Sequence, residues 1–527
     1  MVKRRRVKAK PQVIVVGAGV SGLTAAAYLG RRGYAVTVFE QFNEVGGVTA
    51  TLEQNGFRWD LGPLLLEGFA PDERAGRILS DLGIAEHVPL LINDRLYAFP
   101  DFDLRKPDAY GGPLWRRERL KQLFPSEKQG IEDYYRFYNR VMNALTLNTR
   151  AELARGPIRA WLKLRLLLAF GRIKDKVDWS AAQLMDDFFV DPRLKAIFTS
   201  ILADLVVPPS RFPALGIPSL NTENAFDLRI PRRQSSAGKR PSYHFIKGGC
   251  GTLVEALADV VRANGGQIYT STAIDRILVD ADRVTGVVAA SGQTVTSDIV
   301  VATGGARRIF LEAVGRQYLP LELAYQVDEL PLMESVLMVH LGVDLDPREY
   351  QPDALCYYYG TYDIEGSVNA CRKGQYHEGN DGFVLYVPTA HSPEMAPAGQ
   401  HALTAYTIAP NVLDKGDWVT RRDELAGKLI DQVEKVIPAI RDHIITQVVL
   451  TPPDFAARTH LQHHAFGGRV PVMGSEGPGY ETPIAGLWFV GAQSKSGGGV
   501  QNAMVGAREA ALSIAHRRRH RRRRRAR

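Results

Sequence analysis

Cysteine is scarce in this chain of 527 residues, which contains only Cys250, Cys356 and Cys371. Three scattered cysteines argue against a disulfide framework, suit a reducing compartment and have no spacing typical of a metal site, so we expect no metal. Long hydrophobic runs are also lacking, because no apolar stretch reaches the roughly 18 residues that a membrane-spanning helix needs. The basic start KRRRVKAK precedes an apolar stretch without a convincing cleavage site, which we interpret as mature structure rather than a signal peptide.

Acidic residues are absent from the two ends of the chain, which carry its excess positive charge. Residues 1–10 contain six Lys or Arg and residues 517–527 contain nine Arg, whereas the whole chain has 66 basic and 57 acidic residues. The body between the ends is therefore slightly acidic. We expect 1–10 and 516–527 to be disordered tails, because like charges repel and no apolar surface is available for burial. The tails would bind an anionic membrane surface rather than nucleic acid, and an incidental solvated tail is the alternative.

The clearest motif near the start is a GxGxxG pattern formed by Gly17, Gly19 and Gly22. A β-branched run over 13–16 predicts a buried parallel strand before it, and residues 20–32 predict a helix after it. The first glycine permits a tight turn, the second lets the backbone approach a phosphate, and the third lets the helix pack on the strand. The N-terminal amides of that helix would then face the pyrophosphate of a dinucleotide.

An acidic residue follows this motif at the distance that a dinucleotide-binding unit requires. A predicted strand over 35–39 ends at Glu40, whose carboxylate can accept hydrogen bonds from ribose hydroxyls. A carboxylate at this position disfavours the 2′-phosphate of NADP. Gly46 and Gly47 follow and strengthen the prediction of a dinucleotide site, to which a glycine turn in an ordinary βαβ unit is the alternative.

A second glycine loop near the other end is built in the same way. The segment GLWFVGAQSKSGGGVQNAMVGAREAAL predicts a buried strand, a loop containing Gly491 and Gly499, and a helix that begins near Val500 and Gln501. A protein that binds its nucleotide through a single motif has no need of this loop. FAD would be held by both segments, because its AMP and isoalloxazine ends lie far apart, and we therefore predict noncovalent FAD.

The chain is long enough for a large core, and its motifs predict two interleaved domains. Residues 11–95, 241–310 and 451–515 are expected to form an α/β domain that binds the cofactor. Residues 96–240 and 311–450, which are richer in helical periodicity, aromatics and mixed sheet patterns, are expected to form a mixed α+β substrate domain.

These blocks resemble the carotenoid desaturase and isomerase family of flavoproteins, which includes phytoene desaturases, carotenoid isomerases and retinol saturases. The resemblance rests on the two glycine blocks and on GFRWDLGP, FIKGGCGTLVEALADVVRANGGQI and SPEMAPAGQHAL, and it spans most of the chain. It implies a glutathione-reductase-like Rossmann domain for FAD, an elongated apolar substrate and attachment to a membrane surface. The expected location is therefore cytoplasmic, with peripheral association to the membrane.

The resemblance also implies which residues contact FAD. The ADP half is assigned to Gly17, Gly19, Gly22, Glu40, Gly46 and Gly47, the adenine to the backbone of Ile274, the pyrophosphate or ribityl oxygens to Gly491, and the flavin to Gly499, Val500 and Gln501. The chain departs from the family at Val48, where many relatives place Arg. It departs again at Ser494, Lys495 and Ser496, where relatives often have Thr-His-Pro beside the flavin.

Hydride transfer between FAD and a long isoprenoid substrate requires no charged triad, because an unactivated C–H bond offers little charge to hold. His463, His464 and Lys495 are the polar candidates for catalysis, although a structural or surface role is the simpler interpretation of each. The aromatic run 357–359 would line a substrate tunnel or pack within a strand. Desaturation, saturation and isomerisation remain open. An amine or amino-acid oxidase, disfavoured by Val48, is one alternative, and a flavin-binding scaffold without turnover is another.

Residues 155–174 combine basic and large apolar residues at helical spacing. The bases and the apolar residues that form the pattern are Arg155, Arg159 and Lys163, and Trp161, Leu164, Leu167, Leu168 and Phe170. Such a helix is typical of one that lies in a membrane interface, with bases at the headgroups and apolar side chains at the acyl boundary. A core helix of the substrate domain whose bases face water is an equal alternative.

Overall fold

The computed structural model describes residues 10–92, 94–231, 243–459 and 468–525. Residues 1–9, most of the predicted N-terminal tail, lie outside these ranges. Within them, no helix combines the length and the apolar character that crossing a membrane requires. Among the same residues, no cluster of three or more His, Cys, Asp or Glu is placed to hold a metal ion.

Short strands recur along the whole described chain. In chain order they are β1 (Gln12–Val16), β2 (Ala35–Phe39), β3 (Thr51–Gln54), β4 (Phe57–Asp60), β5 (Leu66–Glu67), β6 (Leu90–Ile92), β7 (Leu96–Ala98), β8 (Asp103–Leu104), β9 (Tyr243–Ile246), β10 (Gln267–Tyr269), β11 (Ile274–Asp280), β12 (Arg283–Ala289), β13 (Thr294–Thr296), β14 (Val300–Ala302), β15 (Ser335–Val343), β16 (Leu355–Tyr359), β17 (Gly382–Tyr386), β18 (His401–Ala409), β19 (Ile444–Leu450) and β20 (Leu487–Phe489).

The α-helices concentrate in the first half of the chain and between the strands of its second half. They are α1 (Val20–Arg31), α2 (Arg74–Leu82), α3 (Trp115–Leu123), α4 (Lys128–Leu153), α5 (Gly156–Phe170), α6 (Ala181–Phe188), α7 (Pro192–Thr199), α8 (Ile217–Leu220), α9 (Gly251–Ala263), α10 (Leu321–Asp328), α11 (Ile364–Cys371), α12 (Arg422–Val436), α13 (Pro452–Thr459) and α14 (Val500–Arg525).

A five-stranded parallel sheet forms the centre of the α/β domain, with its strands in the order β10-β2-β1-β14-β20. The inner strands are short apolar runs, and Val15, Val38, Val300 and Val301 are completely buried, as expected of a parallel sheet covered on both faces. This sheet and its helices confirm the predicted α/β fold class. Its strands all fall in the segments assigned to the cofactor domain, although the exact domain boundaries stay a prediction.

The two ends of the chain meet on one face of this sheet. Helix α1 packs directly against α14 and also against α9. Ala25 and Ala26 in α1 and Ala507 and Ala511 in α14 are fully buried. Small side chains let the two helices approach closely, and this packing brings the glycine motifs that precede them next to each other.

A seven-stranded mixed sheet forms the second domain, in the order β19-β15-β18-β17-β16-β7-β8. Its strands pair antiparallel except for β16 and β7, which run parallel. Helix α12 covers one face through a core of Leu, Ile and Val, and an aromatic-rich core joins the other face to helices α3 to α8. The substrate-domain sheet thus has different partners on its two faces.

The C-terminal end differs from the predicted disordered tail of 516–527, because α14 continues to Arg525. The helix is already nucleated by its packed N-terminal half, and each further residue then adds one backbone hydrogen bond. Arginine is also a favourable helix former. Arg517 forms an ion pair with Glu481, and the Arg518 guanidinium lies 5.0 Å from the Tyr34 ring centre, so the tail begins as a surface-anchored helix.

Candidate functional site

A cavity of about 750 Å³ opens where the carboxyl ends of the five parallel strands meet. Residues that follow each strand contribute to its wall, namely Gly17 after β1, Glu40 after β2, Thr272 after β10, Thr303 after β14 and Gly491 after β20. Ligands of open α/β sheets bind at this edge, and the volume lies within the range of small-molecule and cofactor sites.

The first glycine turn has the geometry that its sequence predicts. Gly17 has φ +95°, in the region that favours glycine, and a Cβ there would lie 2.2 Å from Thr303 Oγ1. Gly19 lines the cavity as the residue preceding α1, whose amides point toward it. Gly22 lies beneath the turn rather than on the cavity wall, since a Cβ there would stand 2.0 Å from the Gly17 carbonyl oxygen. The third glycine therefore permits packing of helix on strand.

Glu40 is buried on the cavity wall and already holds the glycine turn in place. Its Oε2 accepts a hydrogen bond from the Ala18 amide at 2.7 Å, and its Oε1 accepts one from the Phe42 amide at 2.9 Å. Burial raises the pKa of Glu40 above its ordinary value, and these backbone amides and the Arg458 charge oppose that rise. A carboxylate has about four lone-pair positions, so Glu40 keeps acceptor capacity for a ribose hydroxyl.

The Gly46-Gly47 turn lies directly against the first glycine turn. Gly46 donates its amide to the Ala18 carbonyl at 2.9 Å and forms a bridge with Gly19. The family's arginine is replaced by Val48, but Arg458 from α13 donates its Nε to the Gly47 carbonyl at 2.8 Å and lines the cavity. The sequence analysis missed Arg458, because only the fold brings a residue 411 positions away to this turn.

The C-terminal glycine loop lines the cavity on the side of the second domain. Ser496, Gly497, Gly498, Gly499 and Val500 all contribute to its wall. Ser494 is buried instead, where its hydroxyl donates to the Gly491 carbonyl at 2.7 Å and fixes the loop.

Gln501 is not among the residues that line the cavity. Its side chain turns toward Gly68, where a Cβ would lie 1.5 Å from Gln501 Oε1, while Asn502 and Ala503 face the cavity. Successive helical residues point about 100° apart, which explains why Gln501 turns away. Contact of its backbone amide with a flavin stays a prediction.

Ile274 lines the cavity at the end occupied by Glu40 and Thr272. Its carbonyl accepts a hydrogen bond from Arg308 Nη2 at 3.4 Å, and Arg308 also lines the cavity. The structure therefore brings Ile274 to the same end as the residues assigned to the ADP half.

Of the three predicted catalytic candidates, Lys495 lies within the described residues, and it does not line the cavity. Lys495 is exposed, and its ammonium group lies 4.1 Å from the centre of the Tyr480 ring rather than on the cavity wall. This cation–π contact accounts for the residue without catalysis. His463 and His464 lie outside the described residues.

The cavity continues past the glycine loops into the second domain, where its wall becomes apolar. The apolar side chains on this wall are Leu64, Leu65, Leu205, Phe212, Leu220, Met333 and Pro471. Tyr357 and Tyr406 stand beside them, together with Asp204. Tyr358 faces the opposite side of β16 and donates to Gln351, so the aromatic run both lines the cavity and packs within a strand. Sequence reasoning missed Asp204, because no motif surrounds it.

The sequence model of a family described as flavin containing amine oxidoreductase matches residues 20–515. Rat pyridine nucleotide-disulfide oxidoreductase domain-containing protein 2 is 25% identical over 560 residues, with 94% of this chain and 92% of the relative covered. A zeta-carotene-forming phytoene desaturase from Myxococcus xanthus is 26% identical over 511 residues, with the same coverage. Among solved structures, a redesigned triple mutant of putrescine oxidase is 15% identical with a TM-score of 0.61, covering 97% of this chain and all of that chain. This last likeness concerns the fold.

Proposed function

This chain belongs to the family of flavin-containing amine oxidoreductases and is an FAD-dependent oxidoreductase, and from that premise we propose that its substrate is a long apolar, carotenoid-like or other isoprenoid molecule. The chemistry is transfer of a hydride between the substrate and the flavin, in desaturation, saturation or isomerisation. FAD supplies the electron acceptor. The protein binds the substrate, orients it toward the flavin and excludes water.

The observation that carries this proposal is the continuity of the cavity. The residues suited to FAD, from Glu40 to the loop ending at Gly499, share one wall with the apolar residues of the second domain. A hydrocarbon substrate gains about 25 cal/mol for each Å² of apolar surface that it buries there. The phytoene desaturase from Myxococcus xanthus, related over most of the chain, acts on a substrate of this class and supports the same proposal.

The direct test is anaerobic mixing of the purified FAD-loaded protein with phytoene carried in lipid vesicles. We expect the visible absorbance of the oxidised flavin to bleach as hydride is transferred, and a more unsaturated polyene to appear in the organic extract. If the enzyme works in the saturating direction, a coloured polyene should instead reoxidise the photoreduced flavin. Bleaching by cyclohexylamine or putrescine, with no response to any polyene, would overturn the proposal.

An amine oxidase is the second candidate, favoured by one feature of the cavity. Asp204 offers a negative charge among Tyr357 and Tyr406, an arrangement that could hold an ammonium group. The apolar character of the surrounding wall and the absence of an arginine at Val48 favour the isoprenoid substrate.

We further propose that helix α5 attaches the protein to an anionic membrane surface, from which such a substrate is taken. Its side chains Ile158, Trp161, Leu164, Leu167, Leu168 and Phe170 are 42–67% exposed, whereas Leu162 and Ala169 pack inward. A core helix would bury these residues, so the exposure favours the membrane interpretation. Between residues 155 and 174 the chain has no acidic residue and has exposed bases at Arg155, Arg159 and Lys163, which complement anionic headgroups.

Replacing Trp161 and Leu168 together by serine should weaken binding to anionic vesicles by roughly tenfold or more. Each large apolar side chain contributes about 1.5–3 kcal/mol when fully buried, and partial insertion recovers part of that. The measurement is co-sedimentation with vesicles containing an anionic phospholipid, at low and at high salt. The loss should persist at high salt, because only the electrostatic contribution is screened.

The matched control replaces Leu321 and Tyr325, which are 89% and 69% exposed on α10, by serine. This variant removes comparable exposed apolar surface elsewhere and should sediment like the unaltered protein. Failure of the unaltered protein to sediment with anionic vesicles at low salt would contradict membrane attachment, as would equal losses in both variants.

A further inference from the structure

Asp204 is a carboxylate on the apolar end of the cavity wall. It lies in the turn after α7, on the wall that also carries Leu205 and Phe212. Two residues later, the buried Val206 has φ +47°, a conformation that a β-branched residue rarely adopts. Strain of this kind persists only where the surrounding structure enforces it, and Val206 lies in the same turn as Asp204, which lines the cavity.

The groups that face Asp204 come from two strands and from Arg95, which precedes β7. Tyr406 of β18 donates a hydrogen bond to its carboxylate, and Tyr357 and Tyr359 of β16 lie close enough to interact electrostatically. The positive charge of the Arg95 guanidinium also favours the ionised carboxylate.

Arg95 itself is held away from a close ion pair. Its guanidinium lies 3.8 Å from the centre of the Tyr243 ring, and its Nη1 reaches the Tyr97 hydroxyl and the Leu220 carbonyl at 3.4 Å each. Burial raises the pKa of Asp204 to about 7, with Arg95 and the Tyr406 hydrogen bond opposing the rise. The carboxyl group is therefore able to take up and release a proton near neutral pH.

A second, small cavity of about 30 Å³ lies on the far side of Asp204, Tyr357 and Tyr406. This volume is enough for one water molecule, and the polar side chains of Ser367, His377, Asp381 and Thr407 are among those that line it. His377 and Asp381 form its other end, where His377 Nε2 lies 3.3 Å from Thr407 Oγ1. Asp381 is half-buried, so this cavity connects the carboxyl group of Asp204 with polar groups nearer the surface.

We propose that Asp204 is the catalytic base of the reaction, an inference that rests on the proposed function. In the oxidative direction one C–H bond of the substrate breaks with its electron pair, which passes as hydride to oxidised FAD. The neighbouring C–H bond also breaks, its electron pair becomes the new C=C bond, and its proton passes to an Asp204 carboxylate oxygen. In the reductive direction Asp204 returns that proton. A water molecule in the small cavity carries it toward His377 and Asp381.

The test compares the unaltered protein with Asp204→Asn in anaerobic single-turnover reduction of the bound flavin by vesicle-borne phytoene, across pH 5 to 9. The unaltered protein should react faster as pH rises through about 7, because the base must be deprotonated. The Asp204→Asn variant should react at least about 100-fold more slowly, and its rate should lose this pH dependence. Asp204→Glu should recover a pH-dependent rate, and Asp178→Asn, which alters an exposed carboxylate, should behave like the unaltered protein.

Two readouts separate failure of this inference from failure of the proposed function. If no polyene reacts with the unaltered flavin, the proposed function fails. Infrared titration of the FAD-loaded protein then still reports on Asp204, through a carboxyl band near neutral pH that should be missing in Asp204→Asn. Equal flavin-reduction rates in Asp204→Asn and the unaltered protein would overturn the inference. The inference would also be overturned if Asp204→Asn only raised the KM for cyclohexylamine, since Asp204 would then anchor an ammonium group.

Discussion

Replacing Gly22 by alanine is expected to weaken FAD binding and to lower the free energy of unfolding of the protein by about 2 kcal/mol. A Cβ at this position would lie 2.0 Å from the Gly17 carbonyl oxygen and 3.1 Å from the Gly17 carbonyl carbon. Both are backbone atoms, so relief requires α1 to move away from β1 and the glycine turn to open. The amides that face the pyrophosphate then lose their alignment, and FAD affinity should fall by roughly tenfold or more.

The matched control is Gly427→Ala, the same substitution inside helix α12. A Cβ there meets no atom within 4 Å. Alanine is favoured over glycine in a helix interior, so this variant should gain up to about 1 kcal/mol of stability and keep its FAD. Flavin content after purification and thermal unfolding by circular dichroism measure both effects. A Gly22→Ala protein that retains stoichiometric FAD and its melting temperature would contradict the packing role.

The cofactor half of the cavity was largely predictable because its requirements are local. A tight turn, a close approach of backbone to phosphate and a helix start each demand glycine at a fixed offset from a strand, as at Gly17 and Gly19. The same logic placed Glu40 at the end of the next strand. The residues that meet these requirements lie within a few positions of one another in the sequence. Folding then only has to bring the two glycine blocks together.

The remaining parts of the site depend on contacts between distant segments. Arg458 reaches the Gly47 carbonyl from a helix near the end of the chain, and no local pattern marks it. Asp204 stands in an irregular turn, and its environment is made by β16, β18 and Arg95. The order of the seven-stranded sheet is likewise set by packing, since alternation identifies strands but not their neighbours.

Helix propagation explains why the C-terminal segment differs from the prediction, and side-chain direction explains the orientation of Gln501. The composition of 516–527 considered alone predicts disorder, yet the chain up to Arg525 continues a helix whose earlier part packs against α1. The assignment of Gln501 followed its position at the start of the last helix. Its side chain turns toward Gly68, and contact of its backbone amide with the flavin stays a prediction.

Glu40→Ala is expected to weaken FAD binding by about 100-fold while leaving the protein folded. The carboxylate keeps acceptor capacity for a ribose hydroxyl, and a hydrogen bond to a charged group contributes about 1.5–3 kcal/mol. Alanine also releases the amides of Ala18 and Phe42, which the carboxylate now holds at 2.7 and 2.9 Å. The glycine turn should therefore lose alignment as well as its ribose partner. Titration of the FAD-free protein with FAD, followed by quenching of flavin fluorescence, measures the affinity.

Glu53→Ala provides the matched control, because Glu53 lies on β3 with a side chain that is 69% exposed. Removing this carboxylate changes the net charge by the same amount, so it separates a local contact from a general electrostatic effect on the anionic cofactor. We expect Glu53→Ala to bind FAD with unchanged affinity. Equal weakening in both variants would contradict a specific contact of Glu40 with the ribose, and unchanged affinity in Glu40→Ala would mean that the ribose is held elsewhere. Because removal of a negative charge by itself favours an anionic ligand, any loss of affinity in Glu40→Ala must come from the hydrogen bonds that the carboxylate makes.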